Sequence, residues 1–202
     1  MSISADAFFD PPCKRPTAAA MLQTALVQWG GQSDLWVFGY ASLIWRPEFE
    51  SAEERFATLH GYHRALKMWS HVNRGTPASP GLVFGLLPGG SCRGVVYRLP
   101  KDQVAGALSD LWEREMPGSV YDPRWLRCRT EQGDINALAF TLSRGSPSHT
   151  GALSKDQYRQ IFSSACGRYG TTRDYARLTY DKLQTLGIDD KALGRLLKQV
   201  VD

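Results

Sequence analysis

The sequence predicts an α+β fold in which a strand-rich centre is interrupted by one amphipathic helix and followed by a helical C-terminal segment. Three observations predict it. Six runs of strand-forming residues fall between residues 35 and 142, apolar positions recur at helical spacing in residues 101–116, and three further helical stretches lie in residues 154–200. The chain has 202 residues, 43% of them hydrophobic, which is sufficient for one domain with a substantial core.

The charge and cysteine patterns exclude several classes of protein. The formal net charge is only +4 and the basic residues are scattered, so a nucleic-acid partner is not expected. The four cysteines, at positions 13, 92, 128 and 166, form no C-x-x-C pair, which argues against a metal knuckle or a redox motif. No secretory signal is visible and no stretch has the length of a membrane span. We therefore expect a cytoplasmic protein with reduced thiols that binds neither nucleic acid nor membrane.

The N-terminal part is predicted to be an extended arm followed by a helix. Prolines at positions 11, 12 and 16 indicate the arm, and Thr17 is a candidate N-cap for a helix over residues 17–29. Gly30 and Gly31 end this helix.

Residues 35–40 are predicted to form a strand covered on both faces, since all their side chains are apolar or small. The small residues Gly39, Ala41 and Ser42 mark a loop at the end of this strand. Such a loop lets a ligand approach the backbone closely, and its N–H groups are able to bind a carboxylate or an oxyanion. An ordinary tight turn is the alternative.

Residues 54–70 are predicted to be strand material that is broken near Gly61. They contain His60 and His63, which have the spacing of a metal-binding pair. Residues three apart on a strand face opposite sides, however, so we expect both histidines to be structural.

The next segment combines a proline- and glycine-rich loop with two strands. In the loop, Arg74 either meets a substrate carboxylate or braces the loop. Residues 82–87 and 92–99 are predicted to form a hairpin that turns at residues 88–90, Pro-Gly-Gly.

The helix predicted over residues 101–116 carries one carboxylate on its apolar face. Glu115 continues the stripe formed by Val104, Leu108 and Leu111, whereas Glu113 lies on the opposite side. A carboxylate in a core needs a reason, because an unpaired buried charge is costly. A frayed last turn or a salt bridge to a distant arginine are the alternatives to a functional role.

The C-terminal part is predicted to contain a hairpin, a loop and three helices. The hairpin strands are residues 125–131 and 135–142, and the loop is residues 143–153. The helices are residues 154–166, 172–187 and 190–200. On the second helix Tyr175 shares an apolar face with residues 178, 179, 183 and 186, where core filling is the simple interpretation of a tyrosine.

Four segments in order resemble the ChaC-like γ-glutamylcyclotransferases. They are FGYASLIW at residues 38–45, RGTP at 74–77 with Pro-Gly at 80–81, LWEREMPGSVYDPRW at 111–125, and YGTTRDYARLTYDKLQTLGIDD at 169–190. The resemblance implies a small closed β-barrel flanked by helices, with the active-site cavity at the side of the barrel. It makes residues 35–202 the cyclotransferase-like domain and leaves residues 1–34, the arm and first helix, outside the match.

The resemblance also implies roles for individual residues. Glu115 falls on the general acid/base of the family, Tyr175 on its active-site tyrosine, and Arg74 on its RGTP loop. The loop that holds the γ-glutamyl group falls on Tyr40, Ala41, Ser42 and Leu43. Ala41 replaces a family glycine, and if that glycine uses a positive φ the alanine costs about 1–2 kcal/mol. Thr172 and Ala176 likewise depart from the family's asparagine and leucine.

The activity implied by the resemblance is cyclisation of a small-molecule substrate. The α-amine of a γ-glutamyl group attacks its own γ-carbonyl, so that glutathione becomes 5-oxoproline and cysteinylglycine, and neither a metal nor an organic cofactor is required. Two alternatives stay open at this point. One is a cyclotransferase for other γ-glutamyl amino acids or amines, and the other is a non-catalytic regulatory or binding protein on the same fold.

Overall fold

The computed structural model describes residues 15–116 and 118–201. Most of the predicted N-terminal arm, residues 1–14, therefore lies outside the described residues. The elements in chain order are α1 (Ala18–Trp29), β1 (Leu35–Gly39), α2 (Ser42–Trp45), β2 (Glu53–Ser70), β3 (Gly81–Leu99), α3 (Val104–Glu115), β4 (Asp122–Thr130), β5 (Gly133–Thr141), α4 (Lys155–Ser164), β6 (Cys166–Gly167), β7 (Gly170–Thr171), α5 (Thr172–Thr185) and α6 (Lys191–Val201).

Five strands form a closed barrel in the order β1-β3-β2-β4-β5. The neighbouring strands are antiparallel except at the closure, where β1 runs parallel to β5 and Val37 lies opposite Leu138. The predicted α+β class with a small closed barrel is therefore confirmed. A barrel has no free sheet edge, so the helices cover its sides and ends instead of extending the sheet.

The predicted hairpin between residues 82–87 and 92–99 is wrong, because β3 is one continuous strand. Both of its halves pair with β2, on either side of a register shift between His60 and Tyr62. At that shift Gly61, Gly89 and Gly90 all have positive φ, at 84°, 101° and 75°. The glycines thus bend two long paired strands as a bulge instead of reversing the chain, and β2 is bent near Gly61 but not broken.

The predicted helices of the N-terminal and central parts are confirmed. The Thr17 hydroxyl accepts a hydrogen bond from the N–H of Ala20 and caps α1, which ends at Gly30 in the left-handed conformation. Helix α3 buries Val104, Leu108, Leu111 and Trp112 as its periodicity predicts. The indole of Trp112 donates to the carbonyl of Ala18 at 2.9 Å and so attaches α1 to α3.

The C-terminal hairpin and helices are also confirmed, with one correction on α5. Leu178 is 49% exposed, whereas Tyr175, Ala176, Thr179 and Leu183 are buried. The helix is therefore rotated relative to the prediction, so that Ala176 and not Leu178 belongs to its buried face. A short two-stranded sheet, β6–β7, was not predicted, because two-residue strands have no recognisable periodicity.

Two hydrophobic clusters fill the structure. One contains residues of all five barrel strands together with α5 and α6, and the other joins α1 and α3 to alternate residues of β1 and β5. Strand β1 is buried on both faces because it contributes to both clusters. Among the described residues, no helix combines the length and the apolarity that crossing a membrane requires.

Candidate active site

Glu115 is the last residue of α3 and continues the apolar stripe of that helix, with 15% of its side chain exposed. Glu113, two residues earlier on the same helix, is exposed to solvent. Burial raises the pKa of Glu115 above its ordinary value. The guanidinium of Arg114, whose Nε lies 3.2 Å from Oε1, opposes this pKa shift, and the charge of Glu48 adds to it.

Three buried tyrosines lie close enough to Glu115 for its charge to raise their pKa values. They come from three parts of the chain: Tyr40 follows β1, Tyr121 precedes β4, and Tyr175 lies on α5. Desolvation is the largest cause of each raised pKa, and the charge of Glu115 adds to it in all three. All three phenols therefore stay protonated at neutral pH and act through hydrogen bonds.

The hydrogen bonds of the three hydroxyls differ in direction. Tyr40 donates to the carbonyl of Phe140 at 3.0 Å, and Tyr121 donates to the carbonyl of Phe84 at 3.0 Å. The hydroxyl of Tyr175 instead accepts from the N–H of Phe84 at 3.4 Å. Tyr40 and Tyr121 thus have lone pairs to offer a further group, whereas Tyr175 has its proton to offer.

The 40–43 loop leads from β1 directly into the single turn of α2. Ala41 has φ −138°, so the alanine carries no cost from a positive φ. The side chain of Leu43 packs into the hydrophobic cluster around α3, which leaves its backbone N–H as the group that could bind a ligand. Ser42 is half-buried. In the described part of the chain, no backbone carbonyl accepts from the N–H groups of Ala41, Ser42 or Leu43 in a turn, loop or cap.

Two buried side chains hold the carbonyls of this loop. Arg64 donates to the carbonyl of Tyr40 at 2.5 Å, and the hydroxyl of Tyr97 donates to the carbonyl of Leu43 at 3.0 Å. Both donors belong to the barrel strands, so the barrel fixes the orientation of the loop peptides.

Arg74 adopts the bracing arrangement that was one of its two predicted roles. Its Nη1 donates to the carbonyl of Tyr169, and its guanidinium lies over the ring of Tyr175 at 4.8 Å from the centroid. Burial lowers the pKa of Arg74, and the neighbouring Tyr175 and Asp174 oppose that shift. Contact of Arg74 with a substrate carboxylate stays a prediction.

The glycines around Arg74 allow three chain segments to pack backbone against backbone. A Cβ on Gly75 would lie 2.1 Å from the backbone nitrogen of Gly81, and one on Gly81 would lie 2.0 Å from the carbonyl oxygen of Arg74. A Cβ on Gly167 would also meet the 72–75 backbone at 2.5 Å. The RGTP-x-x-PG pattern is thus explained by close packing that fixes Arg74 beside Tyr175.

Among the described residues, no hydrogen bond or ion pair joins either histidine of β2 to Glu115. His60 is exposed, and Nδ1 of His63 lies 2.8 Å from the carbonyl oxygen of Gly89. Within residues 15–116 and 118–201, no group of three histidine, cysteine or acidic side chains is placed to hold a metal ion.

Comparison with known proteins places this arrangement in a family. A family model described as ChaC-like protein matches residues 35–202. The chain belongs to the ChaC-like family. It is 33% identical over 183 residues to a protein of Escherichia coli K12 named glutathione-specific γ-glutamylcyclotransferase, covering 90% of this chain and 79% of that one. The human protein named glutathione-specific γ-glutamylcyclotransferase 1 is 29% identical over 163 residues, covering 78% and 73% of the two chains.

A solved structure has a similar fold. A crystal structure of a γ-glutamyl cyclotransferase specific to glutathione from yeast superposes with a TM-score of 0.76 at 20% identity, covering 84% of this chain and 96% of that one. This likeness supports the barrel fold with its flanking helices. The predicted family is confirmed by the family model and the E. coli relative.

Sequence reasoning did not assign Tyr121, Arg114 or Arg64 to the site of this ChaC-like chain. Tyr121 and Arg114 lie in the same resemblance segment as Glu115, residues 111–125, so that motif was a sequence signal for both residues. Arg64 had a weaker signal: it is a charged residue in the middle of a strand that is otherwise half apolar. Its partners lie far away in the sequence, so no spacing rule identifies them.

Proposed function

We propose that this protein is a γ-glutamylcyclotransferase that degrades glutathione, with Glu115 as the general acid/base. The observation that carries the proposal is a partly buried carboxylate with a raised pKa, close to three buried tyrosines, in a chain of the ChaC-like family. The names of the E. coli and human relatives support glutathione as the substrate.

The reaction needs no nucleophile from the protein. The nitrogen of the substrate's α-amine forms a bond to its own γ-carbonyl carbon, and the amide bond from that carbon to the cysteine nitrogen breaks. The α-ammonium group loses two of its three protons, because the lactam nitrogen of 5-oxoproline keeps one. The departing amine of cysteinylglycine gains one proton as the amide bond breaks and a second when it becomes an ammonium group in water. Folding the glutamyl arm into the attacking geometry contributes on the order of 7–11 kcal/mol when the alignment is good.

Glu115 carries the proton between these two nitrogens. A carboxylate in water is too weak a base to deprotonate an ammonium group efficiently. Burial raises the pKa of Glu115 and so makes its carboxylate a stronger base, while the charge of Arg114 opposes that rise and favours the ionised form. The same carboxyl group, once protonated, is positioned to donate to the leaving amine.

The tyrosines and the 40–43 loop hold the substrate around this carboxylate. The hydroxyl oxygens of Tyr40 and Tyr121 accept from the substrate's ammonium group, since their own protons are already donated to backbone carbonyls. The hydroxyl proton of Tyr175 is donated to the substrate. Backbone N–H groups of Ala41, Ser42 and Leu43 bind the developing oxyanion, and Arg74 attracts a substrate carboxylate while it braces Tyr175.

The test is the release of 5-oxoproline from glutathione and from γ-glutamyl-alanine by the purified protein, with a chelator present. We expect release from glutathione at a rate that exceeds the rate with γ-glutamyl-alanine and that is unchanged by the chelator. Faster release from γ-glutamyl-alanine would favour a cyclotransferase for other γ-glutamyl compounds. No release from either would favour a non-catalytic protein, and loss on chelation that zinc restores would contradict the cofactor-free reaction.

A further inference from the structure

Arg64 is a buried charge that the reaction itself does not explain. It lies in the middle of β2, and only 3% of its side chain is exposed. Burying a guanidinium is costly unless its charge is paired and its N–H groups are hydrogen-bonded. The partners of Arg64 therefore show what the charge is for.

The first partner is Asp190, which immediately precedes α6. Its Oδ2 accepts from Nε of Arg64 at 2.9 Å and from Nη2 at 2.8 Å, and its Oδ1 accepts from the N–H of Leu193 at 3.0 Å. One carboxylate thus caps α6 with one oxygen and binds Arg64 with the other. The ion pair connects the C-terminal helix to the barrel wall.

The second partner is the peptide that begins the 40–43 loop. Nη1 of Arg64 donates to the carbonyl of Tyr40 at 2.5 Å, and also to that of Arg93 at 3.3 Å. The described peptide bonds are all trans, so the carbonyl of Tyr40 and the N–H of Ala41 point in opposite directions. Because the carbonyl points at Arg64, the N–H of Ala41 points away from it. A cation on the carbonyl also polarises the peptide and strengthens its N–H as a donor.

We propose that Arg64 and Asp190 are positioning residues that fix the Tyr40–Ala41 peptide so that the N–H of Ala41 donates to the γ-carbonyl oxygen of the substrate. This inference rests on the proposed cyclotransferase function and deepens it. Neither side chain touches the substrate. The C-terminal helix α6 thereby contributes to catalysis at a loop that lies about 150 positions earlier in the chain, through one ion pair.

Negative charge develops on the γ-carbonyl oxygen in the transition state, so a misdirected N–H lowers kcat more than it raises KM. Loss of a whole oxyanion donor typically costs about 10²–10³ in kcat, and a donor that is retained but poorly oriented should cost about tenfold or more. An effect on folding alone would follow the folded fraction and leave kcat per folded molecule unchanged.

The experiment compares Arg64→Lys, Asp190→Asn and the control Arg98→Lys. Lysine keeps the charge of Arg64 but has no fork that reaches both partners. Asparagine is a good N-cap, so Asp190→Asn keeps the α6 cap and removes the charge that binds Arg64. Arg98 on β3 is the control, because it is also an ion-paired arginine of a barrel strand, less buried than Arg64, and its partners Asp34 and Glu53 lie outside the 40–43 loop.

Kinetics with glutathione are measured well below the melting temperature of each variant. We expect Arg64→Lys to lose about tenfold or more in kcat with KM within about threefold, Asp190→Asn to lose kcat in the same direction, and Arg98→Lys to keep wild-type kcat. Wild-type kcat in folded Arg64→Lys would overturn the inference. If Arg64→Lys does not fold, wild-type kcat in Asp190→Asn would overturn it.

The controls separate this inference from the proposed function. A wild-type protein that releases no 5-oxoproline from glutathione would overturn the proposed function and this inference together. An active wild-type protein with unaffected Arg64 and Asp190 variants would overturn this inference alone. An equal loss of kcat in Arg98→Lys would also overturn it, since the effect would then come from barrel stability.

Discussion

Replacing Tyr175 by phenylalanine separates the two roles of this side chain, core filling and substrate contact. The ring packs against Phe84 and Trp45, with centroids at 5.3 and 6.2 Å, and lies under the guanidinium of Arg74. Phenylalanine keeps these contacts and removes only the hydroxyl. That hydroxyl accepts from the N–H of Phe84 at 3.4 Å, which is longer than an ordinary N–H···O bond.

The structure gives different magnitudes for the two substitutions. Losing the long hydrogen bond in Tyr175→Phe should cost about 1 kcal/mol of unfolding free energy. Tyr175→Ala also removes a buried ring and leaves a cavity, which should cost about 3–5 kcal/mol. If the hydroxyl proton is donated to the substrate, Tyr175→Phe should still lower kcat/KM about tenfold to a hundredfold, the equivalent of about 1.5–3 kcal/mol.

The assay combines denaturant unfolding with 5-oxoproline release from glutathione for both variants. Tyr180→Phe is the control, since Tyr180 is a half-buried tyrosine of the same helix that packs toward Gly194 of α6. A Tyr175→Phe variant with wild-type kinetics would refute the substrate contact and leave core filling as the whole role of Tyr175.

Three further predictions concern the loop, the glycines and the pH dependence of stability. Ala41→Gly should keep turnover within about threefold and lower stability by about 0.4–1 kcal/mol, because φ is negative there and glycine adds only unfolded-state entropy; kinetics and denaturation measure both. Gly81→Ala should destabilise the protein strongly in thermal unfolding, whereas Gly106→Ala, on an exposed turn of α3 with open space around it, should stabilise it by about 0.5–1 kcal/mol. Glu115→Gln should gain stability relative to wild type as the pH rises from about 4 to about 8, measured by denaturation at each pH.

The sign of the pH effect follows from the raised pKa of Glu115. Folded protein holds the Glu115 proton more tightly than unfolded protein, so this side chain's contribution to stability is greatest below the unfolded pKa. That contribution is lost as the pH rises through the folded pKa. Glutamine does not titrate, so a stability difference between Glu115→Gln and wild type that stays flat with pH would contradict the raised pKa.

The helices could be predicted because helical periodicity and capping depend on residues that are close together in the sequence. The stripe of α3, the cap at Thr17 and the placement of Glu115 on the buried side follow from helical periodicity and capping, and the structure has all three. The hairpin at residues 88–90 was wrong because Pro-Gly-Gly suits a bulge as well as a turn. Only the pairing of both halves of β3 with β2 decides between them.

The long-range parts of the site could not be predicted from spacing. Arg64 and Asp190 are 126 positions apart, and their pairing depends on the closed barrel and on the position of α6. The direction of the hydrogen bonds of Tyr40, Tyr121 and Tyr175 likewise depends on which backbone groups the fold places beside each hydroxyl. Sequence motifs identified residues of the site, whereas their chemical roles depend on these tertiary contacts.

The most direct test of the proposed chemistry is the turnover of glutathione by Glu115→Gln, with Glu113→Gln as the control. Glutamine is nearly isosteric with glutamate but cannot carry a proton, so Glu115→Gln should stay folded and lose roughly 10²–10⁴-fold in kcat. Glu113 is exposed on the same helix, so Glu113→Gln should keep wild-type kcat. Near-wild-type turnover in folded Glu115→Gln, or the loss of turnover in Glu113→Gln instead, would contradict the assignment of Glu115 as the general acid/base.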